Sequence, residues 1–105
     1  MDLENSLSWV ALALTPGLAS RLTGKLLRHF GTPEAVFRAS RTELEACHLP
    51  APAVEAIASQ RSLKAAEKEI ARLRTLGVHL LNWEESAYPQ RLLEIYDPPP
   101  VLYVR

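Results

Sequence analysis

The side chains of this chain that could do acid–base, nucleophilic or metal chemistry are few and scattered. His29, His48 and His79 stand apart, Cys47 is the single cysteine, and Glu84-Glu85 is an adjacent carboxylate pair. Cys47-His48 has the composition of a metal or thiol site, but zinc needs further ligands at short spacing, and no second cluster accompanies it. The thiol therefore reads as a small hydrophobe at a helix end, and the two glutamates as a solvated turn. No serine lies in a nucleophile elbow, and no glycine-rich phosphate loop occurs. The expectation is a protein that is not an enzyme, with no catalytic residues, no metal ligands and no cofactor.

Phosphate recognition is the chemistry that the spacing does offer. Leu14-Thr15-Pro16-Gly17-Leu18 lies between two apolar helical segments and has the form of a helix-hairpin-helix turn. Such a turn presents backbone N–H groups at the start of its second helix, where the helix dipole favours a phosphate oxygen. The donors would be those of Gly17, Leu18 and Ala19, with Arg21, Lys25 and Arg28 following at helical spacing as counter-charges. Ala19 occupies the place of the pattern's second glycine, and its Cβ is expected to restrict both the turn and the approach of a phosphate. The alternative is a hairpin that only packs. Leu44 to Ile57, hinged at Cys47-His48-Leu49-Pro50, reads as a degenerate, architectural second copy without glycine. Arg61, Lys64, Lys68 and Arg72 form another basic run, diluted by Glu67 and Glu69.

Helices must position these groups. Ser6 to Leu14 forms a first short helix, with Asn5 or Ser6 as its cap, ended by Pro16-Gly17. A second runs from about Leu18 to His29, with Leu22, Leu26, Leu27 and Phe30 as its stripe and Gly31 as its stop. Gly24 inside it costs about 1 kcal/mol relative to alanine and predicts the close approach of another backbone. Thr32 caps a third helix that starts at Pro33, and Ser40 or Thr42 starts a short fourth ending at His48. Pro50 and Pro52 bracket a turn before a fifth helix through Val54 and Ile57, and the longest helix runs from Ser62 to Leu76. Trp9, Leu12, Leu22, Leu26, Phe30, Val36, Phe37, Leu44 and Ile57 are the predicted core of this bundle.

After Gly77 the period changes to that of a strand, Val78 to Trp83, followed by a short helix Pro89 to Ile95 and a second strand Val101 to Val104. Strand, helix, strand predicts a parallel pair with a right-handed crossover. The chain thus divides into a helical bundle over residues 1–61 and the opening of an α/β domain over 62–105. The last strand, read as buried on both faces, lacks a second neighbour, so that domain is expected to continue past Arg105.

Equal numbers of basic and acidic residues, 12 of each, give a formal charge of zero. That is a poor start for nucleic-acid binding without help from another domain, because phosphate contacts dominate such affinity. The longest apolar stretch, Trp9 to Leu14, is too short to span a bilayer. The acidic MDLENS start is unlike a secretory signal. With a lone thiol, these features predict a cytoplasmic protein with no membrane partner.

Read together, Trp9 to Leu14, Pro16-Gly17, Leu26-Leu27, Phe30-Gly31, Gly77-Val78, Tyr88-Pro89 with Leu92, Leu93 and Ile95, and Asp97-Pro98-Pro99-Pro100-Val101-Leu102-Tyr103-Val104-Arg105 resemble the N-terminal part of the DNA-processing protein A (DprA/Smf) family. The resemblance covers nearly the whole chain. It implies a mainly α fold, a SAM-like helix-hairpin-helix bundle followed by a short β-α-β segment that begins a Rossmann-like domain. It further implies a non-catalytic protein that binds single-stranded DNA during natural transformation and helps load RecA recombinase. The main DNA pocket and the homodimer contacts would belong to the Rossmann domain, with the helical region as accessory. A competing reading is a SAM-like protein–protein interaction domain without nucleic-acid contact.

Overall fold

In the computed structural model of the chain, six helices and a two-stranded sheet enclose one core; residues 6–85, 88–89 and 99–104 are described. The helices are α1 (Leu7–Leu14), α2 (Ser20–Phe30), α3 (Pro33–Arg38), α4 (Arg41–Ala46), α5 (Ala51–Ala58) and α6 (Arg61–Leu76). The strands are β1 (His79–Asn82) and β2 (Val101–Val104).

α1 is the central element because it is apolar round most of its circumference, with Trp9, Val10, Ala11 and Leu12 all buried. Its most extensive contact is with α6, whose inward stripe of Ala66, Ile70 and Leu73 recurs at helical spacing. β2 also touches α1, so Val78, Leu80 and Val101 join the same core as Leu26, Val36, Leu44 and Ile57. The ring of Trp9 meets that of Trp83 edge to face at 6.2 Å, linking the bundle to the end of β1.

Helix boundaries follow local chemistry. Thr32 Oγ1 accepts the Ala35 N–H, with Pro33 in the first turn. Ser40 and Glu43 form a reciprocal capping box at the start of α4. Gly31 and Gly77 end α2 and α6 in conformations of positive φ. Ser6 takes the N-cap position of α1 without a side-chain cap bond.

Several expectations are corrected. Leu22 and Phe30 are only half-buried, because α2 turns Ser20, Thr23 and Leu26 inward instead. Among the described residues no other backbone comes within 4 Å of a Cβ placed at Gly24, and the nearest atom is Arg28 Nη1 at 3.6 Å. α4 stops at Ala46, short of His48, since Cys47 caps it and His48 adopts a left-handed φ of 58°. Pro50 is the N-cap of α5 and Pro52 lies in its first turn, a place where a missing N–H costs nothing.

The strands pair antiparallel, with His79 opposite Val104 and Asn82 opposite Val101, so the expected parallel crossover is not formed. The cause is visible at the return of the chain. Trp83 Nε1 and the Tyr88 hydroxyl both donate to the Pro99 carbonyl, which holds the start of β2 beside the end of β1 and reverses its direction. Burial raises the pKa of that tyrosine. The helix expected over Pro89 to Ile95 lies outside the described residues after Pro89.

Candidate nucleic-acid interface

The α1–α2 connection is an exposed turn with one left-handed residue. Pro16, Gly17 and Ala19 are exposed, Leu18 is half-buried, and Gly17 has a φ of 76°, a conformation that costs other residues roughly 1–2 kcal/mol. Below the turn, the Thr15 side chain is buried: its Oγ1 bonds the Ala11 carbonyl at 2.7 Å and shares a 2.8 Å hydrogen bond with the Ser62 hydroxyl. The turn is thereby tied to the start of α6.

Ala19 is the N-cap of α2 at φ −68° and ψ 162°, extended backbone open to any residue. The expectation that its Cβ distorts the turn is therefore overturned: the freedom of glycine is needed at Gly17 and not two residues later. An alanine N-cap also supplies no side-chain acceptor to the first turn of the helix.

Every charged side chain of α2 is basic, and Arg21, Lys25 and Arg28 are exposed. They do not act alike. Lys25 Nζ donates to the Cys47 carbonyl at 3.1 Å, where its charge offsets the negative end of α4. Arg21 and Arg28 are the outward cations. Lys25, Arg28 and His29 line a shallow cleft with Ala46 and Cys47, so His29 joins a basic group that its isolation in the sequence conceals. Cys47 itself is buried in the core.

The degenerate hairpin proves to be the same device built without glycine. His48 stands three residues before α5 in a left-handed conformation, as Gly17 stands three before α2. Leu18 and Leu49 follow and are half-buried, and Leu26 and Ile57, each eight residues further along, occupy matching buried places. The two turns touch, since a Cβ on Gly17 would lie 3.4 Å from the Pro50 side chain. His48 escapes a glycine-based search because its conformation is imposed by the fold.

No protein-family model, curated protein or solved structure matches this chain. Among the described residues, no three His, Cys, Asp or Glu side chains gather as a metal site would require, and no helix is long and apolar enough to cross a membrane. Glu84 and Glu85 serve the turn after β1: Asn82 Oδ1 accepts the Glu84 N–H, and Glu85 Oε1 accepts the Asn82 N–H.

Proposed function

We propose that this chain is the N-terminal region of a DprA-like single-stranded-DNA-binding protein of the cytoplasm, a SAM-like hairpin bundle leading toward a Rossmann-like domain. Its role is non-catalytic: it contributes an accessory phosphate contact while the larger protein holds single-stranded DNA and helps load RecA. The observation that carries this reading is α2, a helix entered through an exposed glycine turn and carrying only basic charges. Phosphates approaching the turn would meet the dipole of α2 first and then Arg21 and Arg28.

The second reading, a SAM-like protein–protein module, draws on Lys25 and Gly17. The lysine is engaged by Cys47, and the glycine rests on Pro50, so part of the hairpin chemistry is used internally. Charge reversal separates the two. Arg21→Glu with Arg28→Glu should lower affinity for labelled oligo-dT at least tenfold at low salt. Unchanged affinity in a variant with a native circular dichroism spectrum would remove the hairpin from the DNA interface.

A further inference from the structure

The acidic residues that interrupt the basic run of α6 in the sequence do not interrupt it in space. At 3.6 residues per turn, Arg61, Lys64, Lys68 and Arg72 fall within less than a quarter of the helix circumference, and no acidic residue of α6 shares that sector. Glu67 flanks the stripe about 60° beyond Lys64, and with Leu7, Ile70 and Arg74 it lines a cleft between α1 and α6. Glu69 borders the stripe with its charge already engaged: it accepts Arg72 Nε at 2.6 Å and the Tyr103 hydroxyl at 3.3 Å. The arginine holds this carboxyl below its ordinary pKa, so the pair stays ionised at neutral pH.

Those two bonds carry the stripe onto the sheet. Tyr103 is 45% exposed, and no other Phe, Tyr or Trp among the described residues is exposed to that degree. Leu76, 43% exposed, lies one helix turn beyond Arg72. Lys64, Lys68 and Arg72 follow one another at four-residue steps of about 6 Å, on the scale of one nucleotide of an extended strand. Arg72 binds Glu69 through Nε, so its Nη nitrogens are the donors left for a phosphate. At the N-terminal end Arg61 lies 4.0 Å from Glu55, a looser pairing than the 2.6 Å contact of Arg72 with Glu69.

We propose that α6 and Tyr103 form a track for single-stranded nucleic acid, in which Lys64, Lys68 and Arg72 take successive phosphates and a base stacks on the Tyr103 ring. A row of cations ending at an exposed, fixed aromatic ring complements a strand that is charged along its backbone and flat at its bases. An acidic peptide would use the cations but not the ring. The inference shares with the proposed function only the class of ligand, since its residues lie on a different helix and on β2.

The test uses the full chain, a labelled oligo-dT and an abasic strand of equal length, read by fluorescence anisotropy. Lys64→Glu with Lys68→Glu should lower affinity for both strands at least tenfold and flatten the salt slope by about 1.4, two single-strand phosphate contacts. Tyr103→Ala should weaken oligo-dT binding roughly five- to hundredfold and leave the abasic strand unaffected, and Tyr103→Phe, which keeps the ring, should bind as the native chain does. Equal loss for both strands in Tyr103→Ala would overturn the stacking role. Native affinity in the Lys64/Lys68 variant, alongside loss in the Arg21/Arg28 variant, would overturn the α6 track while sparing the hairpin. The reverse pattern would support the track and remove the hairpin, and absence of any binding by the native chain would overturn both.

Discussion

Replacing Gly24 by alanine should stabilise the protein, the opposite of what a glycine inside an apolar helix stripe predicts from the sequence alone. Gly24 is an interior residue of α2, and among the described residues its new Cβ would meet only Arg28 Nη1, at 3.6 Å. That is an ordinary contact with the far end of a flexible side chain, so no packing penalty offsets the gain. Glycine in mid-helix costs roughly 0.5–1 kcal/mol relative to alanine, through backbone entropy in the unfolded chain. At about 4–8 °C per kcal/mol for a domain of this size, the melting temperature should rise roughly 2–8 °C, measured by far-UV circular dichroism. Gly17→Ala provides the opposite control. There φ is 76°, and the same substitution should cost roughly 1–2 kcal/mol. A lowered melting temperature for Gly24→Ala would mean that a rigid neighbour abuts α2 at this point, and the placement of that helix would be wrong.

Thr23 Oγ1 is fully buried and has no hydrogen-bond partner among the described residues. Thr23→Val should therefore stabilise the chain by about 1 kcal/mol in urea unfolding, the low end of what an unsatisfied buried hydroxyl costs; a destabilised variant would show that the hydroxyl is bonded. Trp9→Ala, which removes a buried ring and its contact with Trp83, should cost about 3–5 kcal/mol, and an unchanged melting temperature would refute its burial. The Glu43 carboxyl lies below its ordinary pKa because the Ser40 backbone N–H and then the Ser40 hydroxyl bond it. A depressed folded pKa contributes stability that is full above the unfolded value and is lost as pH falls through the folded one. The stability gap between the native chain and Glu43→Gln should thus be present at neutral pH and close in acid; a gap independent of pH would contradict the capping box.

Helix boundaries were legible because they are local. Thr32-Pro33, Ser40, Gly31 and Gly77 each satisfy or stop the backbone within a few residues, and all act as caps or stops in the fold, Ser40 rather than the alternative Thr42 starting α4. What could not be read depends on distant partners. The direction of β2 relative to β1 is set by the Pro99 carbonyl receiving Trp83 and Tyr88, bonds that span 16 and 11 residues. The rotation that buries Thr23 while leaving Leu22 half-exposed comes from packing against other helices, which helical periodicity cannot weigh. At the candidate interface, the hairpin turn and its cations were legible as a pattern, but the engagement of Lys25 by Cys47 was not. Glu69 does offset one α6 cation, Arg72, but helix geometry leaves Lys64 and Lys68 on a sector that neither Glu67 nor Glu69 occupies, which a count along the sequence could not show.

The salt dependence of oligo-dT binding tests the central claim most directly, because only phosphate neutralisation makes affinity fall linearly with the logarithm of salt concentration. At about −0.7 per phosphate for single strands, three contacts from α6 and two from α2 predict a slope of about −3.5 for the native chain. Absence of binding at low salt, or an affinity that does not change with salt, would contradict the account.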